Sequence, residues 1–251
     1  MRAEPRAVGV ARSAAVAVHV DNADPAEIDG EANLARCGMG SGEERLAVGR
    51  RLVRGTARHD PALRATQATA HHRRIREVID RHGRLDIVIA VHARSSEGGL
   101  AEVTEVELDQ CWAANVRSIV MLAQRFGQVH EPSPADQPPI GRMVWFTSGQ
   151  ALSPMDGELA YAVSKGALHQ MTGSVAHALV PARIVANCIN PGPVDTGYAP
   201  PEVIEAVERR FPDGRWGRPD DVANLVAFLV SDEGAWIRGQ VIDSEGGFDR
   251  H

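Results

Sequence analysis

Apolar residues fall into two kinds of run along this chain, and the two kinds alternate. Leu85 to Val91, Arg142 to Phe146 and Ala182 to Ile189 are short, nearly continuous and rich in β-branched residues, the signature of strands buried on both faces. Longer stretches with helical spacing lie between them. Val106, Val116, Ile119, Val120, Ala123 and Phe126 mark Glu105 to Phe126, and Leu168, Met171, Val175, Ala178 and Leu179 mark Leu159 to Leu179. A further helix starts at Pro219, where proline suits a first turn and Asp220 and Asp221 complement the helix dipole. Val222, Leu225, Val226 and Leu229 then repeat at i, i+3, i+4 and i+7. Glu202 to Phe211 reads as a short helix and Gln240 to Asp243 as the last strand. The alternation predicts one α/β domain spanning 1–251, a doubly wound, mostly parallel sheet with helices on both faces, and the Glu105 and Leu159 helices side by side.

The first third fits this pattern less well. Ala14 to Val20 has the composition of a buried strand, but Asp21-Asn22-Ala23-Asp24-Pro25-Ala26-Glu27 follows it without a glycine. Gly38-Met39-Gly40-Ser41-Gly42 follows no apolar strand and precedes Glu43 and Glu44, whose charge repels phosphate, so it reads as a surface turn. From Arg45 to Arg84, Arg and His dominate, apolar periodicity is weak until Ile75, Val78 and Ile79, and the stretch reads as irregular. His71-His72-Arg73-Arg74 has the charge to attract a 2'-phosphate, yet it suits a solvated helix face better. His130 to Gly141, with Pro132, Pro134, Pro138 and Pro139, reads as a surface connection.

Composition narrows the function classes. The 251 residues, 43% hydrophobic and 24% charged, suit a globular domain with a sizeable core. A net charge of -6 without a basic block provides no electrostatic footprint for nucleic acid or anionic membrane. Cys37, Cys111 and Cys188 are odd in number and scattered, with neither CxxC spacing nor a His cluster to suggest a metal. This fits a reducing cytoplasm. The start, Met1-Arg2-Ala3-Glu4-Pro5-Arg6, has no signal-peptide pattern, and no apolar run approaches membrane-spanning length.

One residue changes the picture. Among 27 Lys+Arg residues, Lys165 is the only lysine, and it stands four residues after Tyr161, one of two tyrosines. Helical spacing puts both on one face, so a phenol and an ammonium can share one site. A nearby cation favours phenolate, and a shift of about three units from a free pKa near ~10 corresponds to roughly 4 kcal/mol. Tyr161 would then donate and accept protons near neutrality. A bare Tyr-x-x-x-Lys also fits an ordinary amphipathic helix, so its neighbours matter. Ser148 lies thirteen residues before Tyr161, at the end of a buried strand, where open parallel sheets gather ligands. Asn115 sits mid-helix, where Asn has poor propensity.

In order and spacing, Asn115, Ser148, Tyr161 and Lys165 resemble the catalytic tetrad of the short-chain dehydrogenase/reductase family. The similarity runs from about Gly83 to the C-terminus, roughly two thirds of the chain. It takes in Gly83-Arg84-Leu85-Asp86, Asn190-Pro191-Gly192-Pro193-Val194-Asp195-Thr196, Gly217-Arg218-Pro219-Asp220-Asp221-Val222-Ala223 and Gly239-Gln240-Val241-Ile242-Asp243 with Gly246-Gly247. The resemblance implies a Rossmann-like fold and an NAD(P)(H)-dependent oxidoreductase that interconverts a carbonyl and an alcohol. Tyr161 would transfer the proton, Lys165 lower its pKa and contact ribose, Ser148 orient the substrate oxygen and Asn115 hold a relay water.

The resemblance further implies cofactor contacts from Ala90, Val91, His92, Tyr161, Lys165, Pro191, Gly192, Val194 and Thr196, the last on the carboxamide. It also implies a substrate lid over 197–218 and a homotetramer or homodimer paired through the Glu105 and Leu159 helices. The chain departs from the family in two places. The glycine loop TGxxxGxG is absent from the divergent N-terminal region, residues 1–82, and Asn-Asn-Ala-Gly is replaced by Ala90-Val91-His92-Ala93. Ala14 to Val20 is then either the first strand with its loop replaced or the second strand with the first missing. His92 is either a polar group facing ligand or a structural histidine bonded to backbone. Weak or absent nucleotide binding follows, and two other functions stay open: a cofactor-independent acid/base enzyme (dehydration, cyclisation or isomerisation) and a non-catalytic scaffold.

Overall fold

The computed structural model describes residues 15–18, 66–197, 199 and 201–248. Five strands, β1 (Ala15–Val18), β2 (Ile87–Ala90), β3 (Gly141–Phe146), β4 (Ile184–Asn190) and β5 (Val241–Asp243), lie side by side in chain order, and every pair is parallel. Between β1 and β2 comes α1 (Thr66–His82). A helical run of α2 (Glu105–Cys111), a π-helical segment (Trp112–Arg117) and α3 (Ser118–Val129) joins β2 to β3. α4 (Leu159–Ala178) joins β3 to β4, and α5 (Pro201–Glu208) and α6 (Pro219–Val230) precede β5.

Two-residue alternation along β3 sorts the core onto both faces of the sheet. Met143 and Trp145 point to one side. There they join Ile75 and Val78 of α1, Ile119, Leu122 and Phe126 of α3, and Leu168 and Ala176 of α4. Val144 points to the other side, where it meets Leu229 of α6, with Phe146, Leu225 and Val226 packed around them. Each such fully buried side chain contributes roughly 1.5–3 kcal/mol. The expected α/β architecture with helices on both faces is therefore present, and α2 and the π segment pack along α4. No described helix is long and apolar enough to cross a membrane.

Two expectations are revised. Thr66–His82, read as irregular apart from a helix face at His71 to Arg74, is a 17-residue helix held to the core by Ile75 and Val78, while Arg73 and Arg74 pair with Glu77 on its outer side. Glu105 to Phe126, read as one helix, is interrupted by the π turn that carries Asn115. The open placement of Ala14 to Val20 is also narrowed. β1 pairs directly with β2, Ala15 opposite Ile87 and Val18 opposite Ala90. In the doubly wound strand order 3-2-1-4-5-6 the neighbour of the fourth strand is the first. The segments Asp21 to Glu27 and Gly38 to Gly42 lie outside the described residues, as do Cys37 and the side chains of His71 and His72.

Arg142 is buried within β3, although its neighbours are apolar. Its guanidinium donates to the carbonyls of Pro139, Gly141 and Ser231, the last at 3.2 Å. Ser231 is the C-cap of α6, so this cation meets the negative end of a helix and ties α6 to the start of β3.

Candidate active site

Tyr161 and Lys165 occupy the first turns of α4, and both project toward the end of β3. Lys165 is 2% exposed. Its Nζ donates to the Phe146 carbonyl at 2.9 Å and lies 5.5 Å from the centre of the Tyr161 ring. Burial pulls the ammonium down to about 8, and its neighbour cannot offset this as an anion, since burial pushes the Cys188 thiol up to about 12. Cys188 therefore remains a neutral thiol while Lys165 titrates. An ammonium has three donors, and Phe146 takes one of them. The side chain is a buried cation with bonding capacity left for the Tyr161 side of the site.

The strand end is fastened to the same helix. Thr147 Oγ1 donates to the Lys165 carbonyl at 2.8 Å and receives Gln150 Nε2 at 3.1 Å. Ser148, the next residue, is half-buried and stands before the 3-10 turn Gly149–Ala151 without capping it. Its hydroxyl is not spent on the turn.

Asn115 occupies the π segment, a helix distortion that recurs at functional sites. Its amide is buried, and both of its N–H donors and its oxygen have protein partners. Oδ1 accepts the Arg94 N–H at 2.6 Å, and Nδ2 donates to the Arg94 carbonyl at 3.0 Å and to Ser164 Oγ at 2.7 Å. Ser164 Oγ in turn donates to the Tyr161 carbonyl at 2.7 Å. Both N–H donors of Asn115 thus hold protein groups. Ser164 and Arg94 escaped the sequence reading. Ser164 left one signal, a serine at mid-helix beside a unique lysine.

The proposed cofactor residues divide into two groups. At the end of β2 the Ala90 side chain is packed in the core, so only its backbone can face a ligand, while Val91 is 40% exposed. His92 is buried, its Nε2 2.7 Å from Ser118 Oγ, and Ser118 bonds the Ala114 carbonyl. The histidine therefore braces the junction of the π segment and α3 through the Ser118 hydroxyl.

After β4 the turn is built for close approach. Gly192 has φ +62, and a Cβ there would lie 2.4 Å from Glu245 Cβ, so only glycine lets the turn rest on the chain after β5. Pro191 is half-buried and Thr196 exposed. Val194 bridges Gly217, and bonds between Gly217 and both Pro193 and Asp195 close the neck of the segment between them. No group of three or more His, Cys, Asp or Glu arranged to hold a metal occurs among the described residues.

The sequence matches the family model described as enoyl-(acyl carrier protein) reductase over residues 50–249. An uncharacterized oxidoreductase of Bacillus subtilis, YjdA, is 40% identical over 174 residues, 69% of this chain and 68% of that protein. The chain belongs to the short-chain dehydrogenase/reductase family. It is an enzyme of the oxidoreductase type. A short-chain dehydrogenase/reductase of Serratia marcescens superposes with a TM-score of 0.72 at 25% identity, covering 95% of this chain and 99% of the other. The angucycline C-6 ketoreductase LanV with bound NADP superposes at 0.71, also 25% identical, covering 96% and 98%. Within this short-chain dehydrogenase/reductase, Asn115 is bonded through Ser164 to the Tyr161 backbone, Lys165 Nζ lies beside the Tyr161 ring, and Ser148 stands two residues beyond the carbonyl that holds Lys165.

Proposed function

We propose that this protein interconverts a carbonyl and an alcohol with NAD(P)(H), with Tyr161 as the proton donor and acceptor. The observation that carries the reading is the buried Lys165 ammonium, fixed on the Phe146 carbonyl against the Tyr161 ring. Lys165 favours the phenolate and so lowers the cost of moving the proton. Ser148 hydrogen-bonds the substrate oxygen, and Tyr161 gives that oxygen its proton in reduction or removes it in oxidation. Asn115 holds the loop at Arg94 and, through Ser164, the backbone of Tyr161. Residues 197–218 close over the substrate as a lid, its neck pinned at Gly217.

The donor set fits the nicotinamide half of the nucleotide. Lys165 has donors left for ribose hydroxyls, and the Pro191 to Thr196 turn, with Val194, offers a side for the carboxamide. When bound, the nicotinamide supplies or accepts the hydride. The bound NADP of LanV supports the same cofactor class here. On the other half of the nucleotide, the glycine loop TGxxxGxG, whose backbone N–H groups would meet the pyrophosphate, is absent from the sequence of residues 1–82, and the Asn-Asn-Ala-Gly support of the adenosine side is replaced by Ala90, Val91, His92 and Ala93. Charge-assisted bonds to pyrophosphate contribute about 1.5–3 kcal/mol each, so two missing donors weaken binding by about two to four orders of magnitude. Calorimetric titration with NADPH and NADH is expected to show dissociation constants well above micromolar. Submicromolar binding would contradict this and place replacement donors in residues 19–65. No binding at all, with turnover intact, would favour the cofactor-independent acid/base reading.

Copies of the chain pair through the face of α2 and α4. Val106, Leu108, Trp112 and Val163 are exposed there, around a hollow also lined by Ala160 and Ser164. Sedimentation should yield a dimer or tetramer, and a monomer at micromolar concentration would exclude the pairing.

A further inference from the structure

The helix that carries Tyr161 and Lys165 does not cap itself. Glu158, its N-cap residue, makes no side-chain cap bond. The first N–H groups of any helix lack intrahelical acceptors, and a buried one left unpaired is costly. The loop after β2 satisfies two of them in α4. Leu159 N–H donates to the Gly98 carbonyl at 3.1 Å, and Tyr161 N–H donates to Ser96 Oγ at 3.0 Å. The Gly157 carbonyl, four residues before Tyr161, accepts the Gly98 N–H at 2.8 Å and so faces the loop.

The loop is shaped for this contact. Gly98 has φ +110, and a Cβ on Gly99 would come within 2.8 Å of the Asp156 carbonyl, so the two glycines permit the approach. Its other end is held at Arg94 by both polar atoms of the Asn115 amide. Ser96 is 8% exposed, which leaves little access for a water to replace its hydroxyl. The loop, Asn115 and Ser164 thereby close a ring of bonds around the backbone of Tyr161, whose carbonyl accepts from Ser164 and whose N–H donates to Ser96.

We propose that Ser96 is a positioning residue for Tyr161: it caps the helix in trans and fixes where the phenol stands relative to Lys165 and the substrate oxygen. This rests on the reading of Tyr161 as the proton-transfer residue, and the test separates the two claims. Amide hydrogen exchange at Tyr161 is compared in the full chain, Ser96→Ala, Ser96→Cys and Ser96→Thr. NADPH-dependent reduction of para-nitrobenzaldehyde is measured on the same samples.

Protection at Tyr161 should fall in Ser96→Ala, fall less in Ser96→Cys, whose thiol is a weaker acceptor, and return in Ser96→Thr. With it, kcat should drop about tenfold in Ser96→Ala while KM for nucleotide stays, and recover in Ser96→Thr, because a small misplacement of a reacting group acts on kcat. Unchanged protection in both Ser96→Ala and Ser96→Cys overturns the proposal, as does lost protection with unchanged kcat. A Tyr161→Phe variant that keeps its activity would overturn the proton-transfer reading while leaving the capping bond to be judged by exchange alone.

Discussion

Tyr161→Phe should lower kcat for carbonyl reduction by about 10³-fold, the range that a positioned general acid contributes. The substitution removes one oxygen and little else. The phenylalanine ring keeps its place against the Lys165 ammonium, now 5.5 Å from the ring centre, and the backbone bonds of residue 161 to Ser96 and Ser164 are indifferent to the side chain. Nucleotide affinity should therefore stay close to that of the unaltered protein. A fall in kcat with no change in binding is the signature of a group used only in the transition state. Steady-state kinetics with calorimetry on both proteins checks this, and equal losses in binding and turnover would point to a structural role.

Lys165→Met should abolish the same activity yet leave the nucleotide-free protein more stable at pH 7. The folded state holds this ammonium at about 8 against 10.5 in the unfolded chain. Keeping it charged in the fold therefore costs about 3 kcal/mol at neutral pH, at ~1.4 kcal/mol per unit. Methionine carries no such cost but loses the charge-assisted bond to the Phe146 carbonyl, which offsets about 1.5–3 kcal/mol. A net gain of up to about 1.5 kcal/mol remains.

The pH dependence of that gain has a definite sign. Between about 8 and 10.5 the unfolded chain binds a proton at this site that the folded protein has lost, so wild-type stability rises with pH there. The advantage of Lys165→Met should shrink across that window and be full below it. Chemical denaturation of both proteins at several pH values reads the effect. A variant less stable at pH 7 by a margin that ignores pH would contradict it.

Where side-chain patterning alone decided structure, the sequence was legible. The strands at Ile87, Gly141 and Ile184 show as apolar runs because both of their faces are covered, and α6 announces itself through Pro219, its two aspartates and its repeating Val and Leu. Of the helix Thr66–His82, only a helix face at His71 to Arg74 was legible. Few apolar residues anchor it, chiefly Ile75 and Val78, and Arg73, Arg76 and Arg81 cover a solvent face whose pattern resembles irregular chain. The π turn at Trp112–Arg117 was hidden for another reason: an extra residue within one turn barely disturbs the apolar spacing on either side. Only the odd mid-helix position of Asn115 hinted at it.

The catalytic candidates themselves were readable from spacing, since a phenol and an ammonium four residues apart on a helix must share a face. Their supports were not. Ser96 lies 65 residues from the N–H it accepts, and no local pattern marks a serine that caps a distant helix. His92 follows the end of β2, and its partner, Ser118, lies 26 residues on and was invisible from sequence.

The most direct test of the central claim follows the hydride itself. NADPH deuterated at its transferable hydrogen is incubated with the protein and a panel of aldehydes and ketones, and each alcohol product is analysed by mass spectrometry beside a Tyr161→Phe control. Tyr161 acting with a nicotinamide predicts deuterium on the carbinol carbon of at least one product, absent or reduced about 10³-fold in the control. Deuterium transfer undiminished in Tyr161→Phe, or turnover of a substrate that leaves the deuterium on the nucleotide, would contradict it.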